Sequence, residues 1–299
     1  MSVLIVGSTA LDTIATPKAR RERLLGGSAS HAAAAASFFA PTRMVGVVGD
    51  DFPKAHLNLF RKKGIDLEGL QRVPGKTFHW EGEYETNMNR RRTLKTELGV
   101  FEQFRPDLPP AYKRTPYVLL ANIAPDLQLH VLKQAEQPRF VLADTMDLWL
   151  ETAMADLKRV LRRADAICLN DTEARRLGEE ENLIRAARRI HRLGPQWVIV
   201  KKGEHGALLS GPNGLFLCPA YPLDKVVDPT GAGDSFAGAL IGWMSARRGR
   251  PEKILPKAML YGAVTASFCC EGFGLTKTAA VGREQIEERL RRLKAMIRL

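Results

Sequence analysis

Short apolar runs rich in β-branched residues alternate along this chain with segments whose apolar residues recur every three or four positions. The runs cover residues 3–6, 44–48, 117–120, 140–142, 166–169 and 198–200, and their length is that of buried strands. Helical patterns lie between most of them, at residues 29–39, 52–63, 127–135, 183–193 and 235–247. This alternation predicts an α/β fold, a doubly wound and mainly parallel sheet flanked by helices, with ligands at the carboxyl ends of the strands.

One segment, residues 77–101, breaks the alternation. Strand-like pieces at residues 77–85 and 93–100 flank the turn-forming NMN at residues 87–89, which predicts a hairpin. The first strand carries aromatic rings at alternate positions, Phe78, Trp80 and Tyr84. These rings would be exposed unless the hairpin covers a cleft, packs on the body of the protein or packs on a second subunit. We expect a small β lid of residues 13–25 and 77–101 on an α/β core of residues 1–12, 26–76 and 102–299. The arginines at 90–92 indicate a solvated turn at the tip of the hairpin.

The last stretch of the chain places Ile286, Leu290, Leu293 and Ile297 on one face of a helical pattern. Such an amphipathic helix is expected to pack on the outside of the domain.

Composition and charge narrow the class of protein. The 299 residues, 45% of them hydrophobic, can bury one large core or two modest ones, and no basic leader or long apolar run appears, so we expect a cytoplasmic protein. The four cysteines lack CxxC spacing and are expected to be free thiols. The net charge of +12 is spread over several helical patterns, which argues against nucleic-acid binding or membrane binding but would attract anionic nucleotides.

The nonapeptide DPTGAGDSF at residues 228–236 places small residues and a carboxylate at a predicted helix start. Phe236, Leu240 and Met244 recur behind it at helical spacing, and the glycines let the backbone turn sharply. The first N–H groups of a helix lack intrahelical acceptors and suit the oxygens of a transferring phosphoryl group. Asp234 could then take a proton from an attacking hydroxyl. A capped helix after a tight turn is the alternative.

This nonapeptide resembles the signature of the ribokinase-like (PfkB) sugar kinase family, and further segments resemble that family, in its order, along nearly the full chain. The resemblance implies a ribokinase-like fold with a lid over the active site. It also implies that Asp234 is the catalytic base and that the N–H groups of Gly231, Ala232 and Gly233 form an anion hole.

The acceptor side of the resemblance lies in GGSASH at residues 26–31 and in Asp12. In the family, Gly26, Gly27 and a following polar residue correspond to contacts with the acceptor sugar. Here His31 replaces the usual Asn, and Ser30 is an adjacent alternative. Asp12 matches an Asp that accepts hydrogen bonds from sugar hydroxyls. Taken alone, the glycines could serve close packing and Asp12 a turn.

The nucleotide side of the resemblance lies in NDTE at residues 170–173 and KKGEHG at residues 201–206. The first resembles the NxxE motif, in which Asn170 contacts the nucleotide phosphates and Glu173 orients Mg²⁺ through water; an ordinary helix cap is the alternative. The second resembles the KxGxxG turn that cradles the nucleotide, with matches at Lys201, Gly203 and Gly206.

A third segment, EGFG at residues 271–274, resembles the loop that closes over adenine and includes Gly272. In some relatives this loop and the segment of Asp228 and Thr230 hold a monovalent cation such as K⁺.

Together these features predict an ATP- and Mg²⁺-dependent kinase that phosphorylates a hydroxymethyl group of a sugar. A nucleoside kinase is the alternative, because lid aromatics could stack on a base and His31 departs from the sugar-kinase pattern. A catalytically silent sugar or nucleotide sensor is a remoter one, which the intact Asp234 disfavours. The expected partner is a small molecule, and a homodimer could form through the lid.

Overall fold

The computed structural model describes residues 1–247 and 249–297, which form two β-sheets and the helices that pack on the larger one. The strands are β1 (Val3–Val6), β2 (Ala10–Thr16), β3 (Ala19–Gly26), β4 (Thr42–Val48), β5 (Ile65–Asp66), β6 (Leu70–Arg72), β7 (Phe78–Tyr84), β8 (Arg91–Glu97), β9 (Tyr117–Leu120), β10 (Phe140–Asp144), β11 (Ala166–Asn170), β12 (Trp197–Lys201), β13 (Ala207–Gly211) and β14 (Gly214–Cys218). The helices are α1 (Ser28–Ala36), α2 (Lys54–Lys62), α3 (Pro125–Gln134), α4 (Asp147–Thr152), α5 (Met154–Leu161), α6 (Asp171–Gly178), α7 (Leu183–His191), α8 (Ala232–Ser245), α9 (Pro251–Cys269), α10 (Thr276–Ala280) and α11 (Arg283–Met296).

The large sheet has the strand order β14-β13-β12-β11-β10-β9-β1-β4-β5, and β6 also pairs with β4. From β12 to β5 the strands pair in parallel, while β13 and β14 form an antiparallel edge. This order confirms the predicted doubly wound, mainly parallel sheet, and the six apolar runs predicted as buried strands lie within it. The parallel strands present their C-terminal residues side by side at one edge, which positions the site.

Two apolar cores cover the two faces of the large sheet, because successive side chains of a strand point to opposite faces. Val3 and Ile5 of β1 pack in the core that includes α1, α8, α9 and α11, whereas Leu4 and Val6 pack in the core that includes α3, α5 and α7. Burial on both faces explains why the strands are continuous apolar runs.

The second sheet, which we call the lid sheet, has the order β3-β2-β7-β8. Strands β2 and β7 pair in parallel, and the two outer pairs are antiparallel hairpins. The sequence predicted the β7–β8 hairpin, but strands β2 and β3 reach beyond the expected residues 13–25. Asp12, expected in a loop of the core, therefore lies in a lid strand, because the chain enters the lid sheet soon after β1.

The C-terminal helix α11 buries Ile286, Leu290 and Leu293, as its spacing predicted. Ile297 is 47% exposed and lies beyond the end of the helix, so its place on the predicted apolar face is wrong. The four cysteines are free thiols. Within the described residues, no helix is both long and apolar enough to cross a bilayer.

Candidate active site

Helix α8 starts at Ala232 rather than at residue 235, so Asp234 lies in its first turn. Gly231 is the N-cap residue and adopts φ 78°, a left-handed conformation that glycine tolerates without strain. The Ala232 N–H donates to the Pro229 carbonyl at 3.1 Å and is therefore engaged in the turn. The anion-binding role predicted for this segment then falls mainly on the N–H groups of Gly231 and Gly233.

Both glycines lie against close neighbours. A Cβ at Gly231 would lie 2.3 Å from the His31 ring, and a Cβ at Gly233 would lie 3.1 Å from the Lys201 ammonium nitrogen. Lys201, the last residue of β12, thus brings its positive charge to the first turn of α8. The KxGxxG and DPTGAGD segments meet at this point, as the resemblance implied.

Lys201 is paired with Asp144, a residue that the sequence analysis missed. Its Nζ lies 3.2 Å from Asp144 Oδ2, and both side chains are largely buried. Burial raises the pKa of Asp144 to about 6, and the nearby Lys201 limits that rise. Burial alone would lower the pKa of Lys201, but the negative charge of Asp144 and its neighbours raises it overall, so Lys201 is a cation. Asp144 could have been found as a carboxylate at the carboxyl end of a predicted strand.

Asp234 is partly buried beside this pair. Burial raises its pKa above the ordinary value, and the positive charges of Lys201 and Arg91 lower it in part. A carboxylate with a raised pKa is a stronger base than an exposed one, which suits the acceptance of a proton.

Asp12 is buried under the Gly26–Gly27 segment, with 4% of its surface exposed. A Cβ at Gly26 would lie 1.9 Å from Asp12 Oδ2, so this position must be glycine for the carboxylate to fit. Gly27, with φ 92°, is the N-cap residue of α1, and a Cβ at this position would lie 2.5 Å from the Ser8 carbonyl oxygen. Burial, followed by the negative charge of Asp228, raises the pKa of Asp12 to about 8.

Asp228 joins three segments around residues 229–231, the turn before the predicted anion hole, which we call the anion-hole turn. Its Oδ1 accepts from the Thr230 N–H at 2.9 Å, and its Oδ2 accepts from the Gly274 N–H at 3.1 Å. Thr230 Oγ1 in turn donates to the Tyr84 hydroxyl of the lid sheet at 3.0 Å. The loop of residues 271–274 is therefore fixed to the anion-hole turn through Asp228. Gly272 lies in this loop against Lys277 and Thr276.

His31 occupies a different place from the acceptor contact that the sequence suggested. Its ring is 1% exposed and lies between Gly231 and Cys269, whose Sγ is 3.7 Å from His31 Nδ1. Burial lowers the pKa of His31 to about 4, so the ring is neutral. The difference arises because α1 packs directly on α8, which places His31 beneath the anion-hole turn. Ser30 is likewise fully buried.

Asn170 and Glu173 form a reciprocal cap at the start of α6. Asn170 Oδ1 accepts from the Glu173 N–H at 2.8 Å, and Glu173 Oε2 accepts from the Asn170 N–H at 2.6 Å. Burial raises the pKa of Glu173 to about 7, and Lys201 limits the rise. The structure thus contains the helix cap that was the alternative for this segment. The Glu173 carboxylate also interacts electrostatically with Lys201.

The turn after Lys201 contains Gly203 and Gly206, with φ 56° and 78°. A Cβ at Gly206 would lie 2.1 Å from the Cys218 carbonyl, so the turn packs tightly on β14. On its outer side, Asn89 of the lid tip donates through Nδ2 to Glu204 Oε1 at 3.2 Å. The lid tip therefore touches the segment predicted to cradle the nucleotide.

Arg91 is a second residue that the sequence analysis missed, because it was assigned to a solvated turn. It is the first residue of β8 and pairs with Tyr84 across the β7–β8 ladder. Its positive charge lowers the pKa of both Asp12 and Asp234, against the net rise that burial causes. No spacing in the sequence shows this, because the contact depends on how the lid sheet folds over α8.

The donor set fits a magnesium ion that keeps most of its water. Asp144 and Glu173 are buried carboxylates near Lys201, but one is paired with Lys201 and the other caps α6. Among the residues that the structure describes, no group of three or more His, Cys, Asp or Glu side chains could hold a metal by itself. Mg²⁺ bound through phosphates and water suits such a site better than a protein cage.

Comparisons with known proteins identify the family. The family profile of the pfkB family carbohydrate kinases matches residues 2–280. The chain is 30% identical to the cytidine kinase of Thermococcus kodakarensis over 259 residues, which cover 84% of this chain and 90% of that protein.

Solved structures show the same fold. A nucleoside kinase from Burkholderia thailandensis in complex with inosine superposes with a TM-score of 0.80 at 22% identity, over 99% of this chain and 98% of the other. An Escherichia coli protein described as a ribokinase II, in complex with ATP and Mg²⁺, has a TM-score of 0.80 at 19% identity, over 97% of this chain and 99% of the other. The profile match over nearly the whole chain confirms the predicted family: the chain belongs to the pfkB family of carbohydrate kinases, phosphotransferases that use an alcohol group as acceptor.

Proposed function

We propose that this protein transfers the γ-phosphoryl group of ATP to a hydroxymethyl group of a sugar. The observation that carries the proposal is the placement of Asp234 in the first turn of α8, beside the Lys201 ammonium group. Asp234 takes the proton of the acceptor hydroxyl, while the oxygen of that hydroxyl bonds to the γ-phosphorus. The bond to the β-phosphate oxygen breaks, and its electrons remain on ADP. The N–H groups of Gly231 and Gly233 and the helix dipole stabilise the equatorial oxygens.

The donor nucleotide is assigned to the ends of β11 and β12. Lys201 supplies a fixed positive charge, and the tight turn through Gly203 and Gly206 offers backbone groups to the nucleotide. Asn170, at the start of α6, lies at the same edge and is assigned to the phosphates. Gly272 is assigned to the loop that closes over adenine. Mg²⁺ would offset the negative charge of the phosphates, and Glu173 would hold it through water.

The acceptor is assigned to the space between the lid sheet and the carboxyl edge of β1. The buried Asp12 side chain is assigned to hydrogen bonds with the sugar hydroxyls, and the glycine pair at residues 26–27 allows close approach. His31 is assigned no contact with the acceptor, and its ring packs against Gly231 instead. The lid sheet excludes water, which protects ATP from hydrolysis while the acceptor reacts.

A nucleoside is the second candidate acceptor, and one observation favours it. Trp80 pairs with Asp12 in the β2–β7 ladder, so its ring shares the face of the lid sheet that carries Asp12. An aromatic ring there could stack on a base whose ribose hydroxyls bind Asp12. The matches to a cytidine kinase and to an inosine-bound nucleoside kinase support this candidate.

A monovalent cation such as K⁺ is assigned to the neighbourhood of Asp228 and Thr230. Asp228 is fully buried, and burial raises its pKa. In the described part of the chain, its carboxylate is bound only by N–H groups and has no cationic side chain within ion-pair distance. A bound cation would offset this buried charge. Replacing K⁺ with tetramethylammonium in the assay should then lower turnover, and unchanged turnover would remove the assignment.

The interface of a homodimer that forms through the lid is assigned to strand β8. This strand is the edge of the lid sheet, all its residues are exposed, and Leu94 and Leu98 at or just beyond it are 44% and 43% exposed. An unpaired edge with apolar side chains can pair with the same edge of a second copy. Sedimentation of the protein and of Leu94→Glu tests this; a monomeric parent would contradict it.

The decisive experiment measures ADP release against a panel of sugars and nucleosides with Mg²⁺ and ATP. We expect one acceptor to stimulate release far above the rate without acceptor, and phosphorylated product to appear in equal amount. Asp234→Asn serves as the inactive control. If no acceptor stimulates ADP release in the wild-type protein, the proposal fails.

A further inference from the structure

The inner face of the lid sheet carries an arginine above the anion-hole turn. Tyr84 and Arg91 are opposite each other in the β7–β8 ladder, and directly paired residues point to the same face. Trp80 contacts Arg91, whose guanidinium carbon lies 5.4 Å from the centre of the indole ring. Since Trp80 pairs with Asp12 in the neighbouring ladder, Arg91 shares the face of Asp12.

Trp80 and Tyr84 are the neighbours of Arg91 in the lid sheet. The Trp80 indole lies over Gly82, where a Cβ would come within 2.0 Å of the ring, and its Nε1 donates to Thr93 at 3.2 Å. The hydroxyl of Tyr84, the ladder partner of Arg91, accepts from Thr230, the residue before Gly231. Arg91 therefore lies beside the tyrosine that joins the lid sheet to the anion-hole turn.

The charges at the site call for a second cation. Lys201 is the cation at the first turn of α8, and its positive charge is already paired with Asp144. A polyphosphate entering this site would therefore meet little unpaired positive charge from the core. A guanidinium group suits phosphoryl oxygens because it offers several donors in one plane and is always charged.

The adjacent Arg92 lies on the opposite face of the lid sheet. It pairs with Glu83, with a distance of 2.9 Å between Nη2 and Oε2. The alternation of a β-strand therefore places Arg91 on the face of Asp12 and Arg92 on the other face.

We propose that Arg91 is a catalytic residue that binds an oxygen of the phosphoryl group in transfer and completes the site when the lid is closed. The proposal rests on the kinase function proposed above. In the step, the acceptor oxygen bonds to the γ-phosphorus, the bond to the β-phosphate oxygen breaks, and the hydroxyl proton passes to Asp234. Arg91 keeps its own protons and stabilises the charge that develops on the equatorial oxygens.

A phosphoryl oxygen at Arg91 could come from ATP or from a phosphate already carried by the acceptor. The pairing of Arg91 with Tyr84, which is bonded to Thr230, favours the γ-phosphate, because Thr230 precedes the predicted anion hole. An arginine that reads the acceptor's own phosphate would instead act on phosphorylated acceptors alone.

The test compares Arg91→Ala with the matched control Arg92→Ala. For an unphosphorylated acceptor, we expect Arg91→Ala to lower kcat roughly 10²-fold or more, in the range seen when one charged transition-state contact is lost. The KM for ATP should change much less, and Arg92→Ala should resemble the wild type. Millimolar guanidinium should restore part of the lost kcat in Arg91→Ala only, which a purely structural role would not produce. Circular dichroism of both variants checks that the fold is intact.

Each contrary outcome is distinct. Equal kcat in Arg91→Ala and Arg92→Ala, or no rescue by guanidinium, would overturn the role of Arg91 and leave the proposed function standing. A loss confined to phosphorylated acceptors would transfer the contact to the acceptor phosphate and overturn the γ-phosphate assignment. Absence of phosphotransfer by the wild-type protein with every acceptor would overturn the proposed function and this inference together.

Discussion

The chemistry at the scale of single residues is dominated by carboxylates that the fold buries. Asp12, Asp144 and Glu173 are each at least nine-tenths buried, and burial raises the pKa of each. Lys201 and Arg91 are the cations that offset this charge in the described site. Substitutions that remove one charge while keeping the shape of the side chain therefore report on function more cleanly than truncations.

Asp234→Asn is expected to lower kcat by roughly 10² to 10⁴, the usual contribution of a positioned general base. ATP affinity should change little, since the helix start and Lys201 are untouched. Steady-state kinetics and nucleotide titration measure the two effects. Asp224→Asn, on an exposed loop shortly before this motif, is the matched control. Wild-type kcat in Asp234→Asn would mean that Asp234 only caps the helix.

Glu173→Gln is expected to raise the Mg²⁺ concentration needed for half-maximal activity. Glutamine can still accept from the Asn170 N–H, so the cap of α6 and the stability of the protein should persist. The lost charge should weaken a water-mediated metal contact. Asp171→Asn, in the same turn but paired with Arg175, is the control. An unchanged magnesium titration would reduce Glu173 to a capping residue.

The elements of the site are joined by a few bonds between the lid sheet and the core. The Thr230–Tyr84 hydrogen bond connects β7 to the anion-hole turn, and the Asn89–Glu204 contact connects the lid tip to the turn after β12. Closure of the lid over the acceptor and the order of the anion hole are therefore expected to be coupled.

Tyr84→Phe is expected to lower kcat roughly 2- to 10-fold, which corresponds to about 0.5–1.5 kcal/mol for one hydrogen bond. The ratio of ATP hydrolysis to acceptor phosphorylation should rise, because a loosened lid admits water. Thr230→Val and the double variant complete a cycle. Additive effects of the two substitutions would show that this bond does not couple the lid to the anion hole.

The whole molecule brings its charges to one edge of the large sheet, and this affects its stability as well as its activity. The pKa of Asp12 is about 8 in the folded protein, against an ordinary value of 3.8, because burial and Asp228 disfavour the charged form. Between these values the unfolded chain binds fewer protons at this position than the folded one. The contribution of Asp12 to the free energy of unfolding therefore falls as pH rises through this window.

Asp12→Asn removes this titration. We expect the free energy of unfolding of the variant to increase relative to that of the wild type as pH rises from about 4 to 8, by at most about 1.4 kcal/mol per pH unit. Urea denaturation of both proteins at several pH values measures the difference. A difference that does not vary with pH would contradict the buried, proton-binding state of Asp12. Acceptor phosphorylation by the variant should be strongly reduced.

The sequence by itself determined the layered α/β fold, because strands buried on both faces must be continuous apolar runs and helices must carry one apolar face. It also located the segments of Asp234, Lys201 and Asn170, since backbone turns that need glycine and helix starts that need caps leave local signals. Tertiary structure decided which side chains meet across distant segments. It turned His31 beneath Gly231, paired Asp144 with Lys201 and set Arg91 and Arg92 on opposite faces of the lid sheet. Such contacts depend on how α1 packs on α8 and on the register of the lid strands, and neither is encoded in any single stretch of the chain.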